Sequence, residues 1–116
     1  LIQNNTHHYD FILKKSGKEF IVQLRVRLGS QSYIAAEEKV SGNQIQMKIT
    51  GTPSQYSFYI SDPKSSKEKE LGRLDTRYLS TEVAGGFTGV IIGLYTSSNG
   101  KSSKAKAYFD WFDYRL

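Results

Sequence analysis

The sequence predicts an all-β protein, an antiparallel β-sandwich, and three observations carry that prediction. Short runs in which apolar and polar residues alternate recur at a spacing of about ten residues. Gly, Asn, Pro and Ser stand between them, the residues that turns require. No segment shows the apolar spacing of a helix of ordinary length, and at 116 residues the chain fits one domain, 1–116, with one core.

Taken in order, Tyr9, Phe11 and Leu13 alternate with Asp10, Ile12 and Lys14 to give a first strand, which Ser16 and Gly17 turn. Phe20, Val22, Leu24, Val26 and Leu28 alternate with Ile21, Gln23, Arg25 and Arg27, the clearest period of two in the chain and a strand with one buried face. Tyr33 to Val40 is a weaker strand, closed by Ser41, Gly42 and Asn43. Ile45, Met47 and Ile49 alternate with Gln46 and Lys48, until Pro53 in the Gly51 to Ser54 turn forbids further pairing. Tyr56, Phe58 and Ile60 then alternate with Ser57, Tyr59 and Ser61.

Beyond Asp62 and Pro63 the pattern weakens. Lys64 to Glu70 reads as a charged connection, and Leu71 to Val83 as an ordered loop pinned by Leu74, Tyr78, Leu79 and Val83. Val90 to Tyr95 is apolar on both faces and reads as a central strand. Ala107 to Tyr114 reads as a closing strand beside it, with Phe109 and Trp111 in the core and Ser97 to Lys104 as the solvated link.

The net charge of +5 raises a nucleic-acid reading. The lysines, however, gather in turns, where solvated charge ordinarily sits, and only Arg25 and Arg27 share a strand face; a nucleic-acid site calls for a basic face with interleaved aromatics. No nucleic-acid partner is therefore expected, although a basic structural or nucleic-acid-binding domain stands as a third functional class. No run approaches the roughly 20 apolar residues of a membrane span, so no membrane partner is expected. The absence of cysteine removes disulfides and thiolate metal sites.

Chemistry is thin. A glycosidase needs two carboxyl groups across a cleft, one with a raised pKa. Asp75 and Glu82 share a loop and are the one pair worth testing, with a structural role expected for both. His7 and His8 are adjacent, so on a strand they face opposite ways and cannot chelate one ion. No cofactor is implied; calcium is left open through Asp110, since hard cations take carboxylate oxygen, although a backbone cap serves that residue equally well. Asn4, Asn5 and Thr6 form a glycosylation sequon.

The strings DTRYLSTEVAGGFTG (75–89), IGLYTSSNGK (92–101) and FDWFDYRL (109–116), with QNNTHHYDFILKK and FIVQLRVRLG before them, carry a resemblance. Together they resemble the C-terminal domain of β-xylosidases and related enzymes of glycoside hydrolase family 43. The resemblance implies a concanavalin A-like jelly roll, and since that domain is usually close to twice this length, a sandwich that is incomplete or completed by strand exchange. It further implies a non-catalytic accessory or carbohydrate-binding module of a xylan- or arabinan-degrading enzyme. Its partners would be xylan or arabinoxylan-type polysaccharide and a catalytic β-propeller, with an N-terminal half of the same sandwich or a second copy closing its edges. Location stays open between the bacterial cytoplasm and secretion with a parent enzyme.

In that family a Phe from a sandwich loop shapes the propeller's active-site pocket, and the matching residue is Phe87, in the alternative reading where the chain is a β-xylosidase fragment completing that pocket. Paired glycines at Gly85 and Gly86 suit a projecting ring, whereas the residues alone equally allow Phe87 to begin the buried strand. Tyr59, Tyr33 and Tyr95 are candidate sugar platforms, the first two placed opposite the buried alternation, with Gln46 and Arg25 as polar neighbours. Asp75 and Arg77 complete the expected substrate contacts.

Overall fold

The computed structural model describes residues 1–65, 67–87 and 89–116. Four strands, β1 (Ile2–Asn4), β2 (His7–Ser16), β3 (Glu19–Leu28) and β4 (Gln31–Val40), form one sheet in the order of the chain. Three more, β5 (Gln46–Gly51), β6 (Gln55–Ser61) and β7 (Glu68–Asp75), form a second. Every pairing is antiparallel, as short turns between consecutive strands demand.

The alternating residues decide which faces meet. Tyr9, Leu24 and Val26 from the first sheet and Phe58 from the second are buried together, with Leu79 closing one end and Phe11, Ala36, Tyr56 and Leu74 packed around them. Phe11 and Phe58 meet edge to face at 5.3 Å between ring centres, and Tyr9 meets Tyr56 likewise at 6.3 Å. Burying a side chain such as Phe58 contributes about 1.5–3 kcal/mol. Where β7 crosses β4, Gly72 faces the first sheet, and a Cβ there would stand in ordinary van der Waals contact, 3.4 Å from Leu24 and 3.6 Å from Ala36.

Five of the expected strands form where the alternation placed them, and the structure corrects the reading elsewhere. Residues 68–75, expected as connection and loop, are β7. Its register with β6 shifts between Phe58 and Tyr59, opposite Gly72 and Glu70, so Leu71 is extra and the period of two is broken in the sequence. Charged side chains of β7 instead reach past its ladder partner: Lys48 of β5 donates to Glu68 across the sheet at 2.8 Å, and Lys69 holds Glu38 of β4 in the other sheet.

The expected central and closing strands are not present among the described residues. From residue 90 onward the main chain joins a sheet at one bridge, where Ile2 N donates to Ile91 O at 2.9 Å and Ile91 N to Ile2 O at 2.8 Å. Val90 packs against the core, but Ile92, Leu94, Phe109 and Trp111 are exposed, Trp111 at 61%. An apolar alternation states which faces want cover; it does not supply the neighbouring strand whose N–H and C=O groups make a ladder.

Candidate functional site

At the end of the sandwich the chain leaves β7, makes a single 3-10 turn at Arg77–Leu79 and one turn of helix, α1 (Thr81–Ala84), then reaches Phe87. Each step of this loop is fixed by a bond to the sandwich. The Tyr9 hydroxyl donates to Asp75 O at 2.7 Å, and Thr76 Oγ1 donates to Pro53 O at 2.8 Å. Leu79 is buried in the core. After α1, Asn4 Nδ2 donates to Ala84 O at 2.9 Å and Gln3 Nε2 to Gly85 O at 3.4 Å, so the side chains of β1 satisfy carbonyls that a helix end leaves open.

Gly85 and Gly86 then take φ of 75° and 91°, a region closed to most side chains, and turn the chain outward. Phe87 follows fully exposed, at 106% of its reference surface. The alternative that Phe87 begins the buried strand is thereby overturned: the two left-handed glycines redirect the chain before the ring.

Asp75 and Arg77 are brought together. Arg77 Nη2 donates to Asp75 Oδ2 at 2.6 Å, Arg77 Nε reaches both carboxylate oxygens at 3.0 Å, and the Arg77 amide donates to Asp75 Oδ1 at 2.8 Å. These bonds from Arg77 hold the Asp75 carboxyl below its ordinary pKa. Hydrogen bonds from its own amide and from Ser80 hold Glu82 low as well. Both shifts run opposite to the raised pKa that a carboxylic acid catalyst needs. A cleft of about 600 Å³ lies alongside, bordered by Gln3, Tyr56, Arg77, Leu79, Glu82 and Val90.

The tyrosines fall elsewhere. Tyr59 stands on the outer face of the second sheet, half-buried, with Lys48 Nζ 5.1 Å above its ring centre, so one ring face is occupied by a cation. Gln46 sits on that sheet too, accepting from Ser61 Oγ at 3.1 Å. Tyr33 was expected opposite the buried face, yet it pairs with Val26 and so shares the core side of its sheet. A bulge explains this: Leu24 faces Ala36 and Arg25 faces Ile34, so Ala35 is skipped and every residue before it changes face. Tyr33 keeps 50% exposure at the edge of the sheet. The Tyr95 ring is exposed, while its hydroxyl end is desolvated and beside Asp10, and both effects raise its pKa against the opposing pull of Arg25.

His7 and His8 separate as expected, His7 bonding Thr6 and His8 approaching Asp10 at 3.6 Å. Among the described residues no group of three His, Cys, Asp or Glu side chains comes together as a metal site would require, and Asp110 is exposed. The Asn4 side chain accepts from the Thr6 amide and hydroxyl at 2.9 and 3.0 Å while holding Ala84. Gln3 and Asn4 were missed as loop anchors because side chain-to-carbonyl bonds across 80 or more residues leave no periodic trace.

Two antiparallel sheets packed face to face, with a loop presented at one end, define a β-sandwich. The chain matches the beta xylosidase C-terminal concanavalin A-like domain over residues 1–115, and it belongs to that family of glycoside hydrolase domains. It is 34% identical over 113 residues to the non-reducing end alpha-L-arabinofuranosidase BoGH43B of Bacteroides ovatus, covering 97% of this chain and 21% of that enzyme. It is 28% identical over 114 residues to a xylosidase/arabinosidase of Butyrivibrio fibrisolvens, covering 97% and 22%. The solved structure titled Bacteroides ovatus Xyloglucan PUL GH43B superposes with a TM-score of 0.68 at 26% identity, over 76% of this chain and 17% of that one. The chain thus spans about a fifth of the length of the curated relatives it matches.

Proposed function

We propose that this chain is the non-catalytic accessory module of a xylan- or arabinan-degrading family 43 enzyme, bracing the catalytic propeller and lending Phe87 to its pocket. The observation that carries the reading is the fully exposed Phe87 ring on a loop whose backbone is otherwise pinned by Asp75, Leu79, Asn4 and Gln3. An aromatic ring costs free energy in water, and a rigid loop that holds one outward fits a contact made with another surface. The low pKa of Asp75 and Glu82 supports a module without acid catalysis of its own. The test joins the chain to a catalytic propeller and measures aryl xyloside and arabinofuranoside hydrolysis. Phe87→Ala is expected to lower kcat/KM by tenfold or more, the order of a lost buried aromatic contact (about 1.5–3 kcal/mol), with the fold unchanged; full activity in that variant overturns the role of Phe87.

A second reading, direct binding of xylan-type polysaccharide, is favoured by the exposed ring of Tyr95 beside Asp10 and Arg25. Affinity electrophoresis in soluble arabinoxylan tests it, with retention expected for the wild type and reduced retention for Tyr95→Ala.

A further inference from the structure

The outer face of the first sheet carries a cleft of about 310 Å³ crossing β2, β3 and β4, at the lower end of the size range of small-molecule sites, roughly 300–1,000 Å³. The register sets its side chains in two rows. His8 pairs with Arg27 and Arg27 with Ser32; Asp10 pairs with Arg25 and Arg25 with Ile34. Val26 and Tyr33 also border the cleft, but the register sends their side chains to the core side, so they meet it along the main chain.

The arginines in the cleft differ from the others in the chain. Arg73, Arg77 and Arg115 each hold a carboxylate at 2.6–2.7 Å. Neither Arg25 nor Arg27 has a carboxylate within ion-pair distance among the described residues. Arg25 gives Nε and Nη2 to the neutral amide oxygen of Gln23 at 3.0 and 2.9 Å, and Gln23 in turn donates to Glu37 at 2.8 Å. Arg27 gives Nη1 to the Ser32 hydroxyl at 3.1 Å, and its buried Nε has no acceptor among the described residues. Gln23, two residues back on the same strand face, is only 4% exposed, so Arg25 is braced from the side by a buried partner. A guanidinium offers five donors in a planar fork suited to two carboxylate oxygens, and two such forks stand side by side with their remaining Nη donors uncommitted among the described residues.

We infer that this cleft binds the carboxylate of an acidic sugar, a uronate unit carried on a polysaccharide. The inference rests on the polysaccharide-binding reading above and names the class of sugar. Among the residues that line the cleft, Asp10 is the single carboxylate beside two guanidinium groups, so the carboxylate of a monoanion balances the second guanidinium. A nucleic acid or a phosphate brings more negative charge against Asp10 and asks for a longer basic track. Asp10 accepts hydrogen bonds and Ser32 both accepts and donates, as sugar hydroxyls require. Ile34, 50% exposed, supplies apolar surface for the C–H face of the pyranose, and the Tyr95 hydroxyl lies beside Asp10 at the rim.

The test is affinity electrophoresis of the full chain in glucuronoxylan and in neutral arabinoxylan, paired with an NMR titration using glucuronic acid and glucose. Stronger retention by glucuronoxylan is expected, falling as salt screens the charges. Arg25→Gln and Arg27→Gln are each expected to weaken it about tenfold, the order of a charge-assisted hydrogen bond. Lys101→Gln, which removes one charge outside the cleft, is expected to change it little. In the NMR titration, which needs no variant, glucuronic acid is expected to move the Arg25, Arg27 and Ser32 signals and glucose to leave them. Equal retention in both xylans, or loss in Lys101→Gln as large as in the arginine variants, overturns the uronate site and leaves the polysaccharide reading standing. Retention in neither overturns both and leaves the contact through Phe87.

Discussion

The Tyr9 hydroxyl donates a 2.7 Å hydrogen bond to the main-chain carbonyl of Asp75, joining the core of one sheet to the last residue of the other, where the loop toward Phe87 begins. Tyr9 is buried, and that burial, with nearby negative groups, pushes its pKa up and keeps the hydroxyl a donor across the ordinary pH range. Tyr9→Phe keeps the ring and leaves the carbonyl without its donor, which costs about 1–3 kcal/mol. The urea midpoint is expected to fall with an unchanged slope. An unaltered midpoint shows that the loop is anchored elsewhere.

The amide of Asn4 is the second anchor. Asn4→Ala removes the donor to Ala84 O and the acceptor for Thr6 together. A global loss of about 1 kcal/mol is expected. Hydrogen exchange should report a larger local change, with the amides of Ala84 and Gly85, which bond Ser80 O and Thr81 O, exchanging faster than those of β3. Equal acceleration throughout the chain assigns Asn4 to global stability alone.

The Asp75–Arg77 pair gives the loop a pH dependence of definite sign. The folded pKa of Asp75 lies below its ordinary value of 3.8, chiefly through the side-chain bonds of Arg77. The order it contributes is therefore fully present above that ordinary value and fades as the pH falls through the lower folded one. Because the pair is solvent-exposed the effect on global stability is small, and the readout is local. Protection of the Arg77 amide, which donates to Asp75 Oδ1, is expected to drop only at strongly acidic pH. Asp75→Asn is expected to abolish that acid-dependent step.

The legible parts of the fold were those in which one residue in two faces a common core: Tyr9 and Phe11, Leu24 and Val26, Phe58 and Ile60 announced their strands unaided. The illegible parts lack that regularity for physical reasons. β7 carries a bulge at Leu71 and opens on Glu68, Lys69 and Glu70, charges held by Lys48 of β5, Glu38 of β4 and Arg73 of its own strand rather than by an apolar alternation. Tyr33 changed face because Ala35 is an extra residue in β4, and a skipped residue cannot be seen without the register. At the candidate site, Gly85 and Gly86 signalled a projecting Phe87, whereas Gln3 and Asn4 reach the loop from the far end of the chain. The cleft of Arg25 and Arg27 was visible only as two like charges on one strand face; that no carboxylate among the described residues pairs with them depends on every neighbouring strand.

Trp111 reports on the exposed apolar segment that follows Val90. It is the one tryptophan of the chain, and it stands 61% exposed near Phe109, Phe112 and Tyr114 in sequence, all similarly exposed. An apolar run of this kind seeks cover, and β4, an edge strand, offers unpaired N–H and C=O groups along Gln31–Val40, although Glu37, Glu38 and Lys39 discourage pairing at one end. Dilute chain is expected to emit at long wavelength and to be quenched readily by iodide. Raising the concentration should produce a dimer by sedimentation velocity, with a blue shift of Trp111 emission and loss of quenching in step. Trp111→Ser is expected to weaken that dimer by tenfold or more, from about 1.5–3 kcal/mol of aromatic burial. A monomer at every concentration, with Trp111 equally quenchable throughout, excludes self-association and directs the search for cover to a covalently continuous segment or to the catalytic domain.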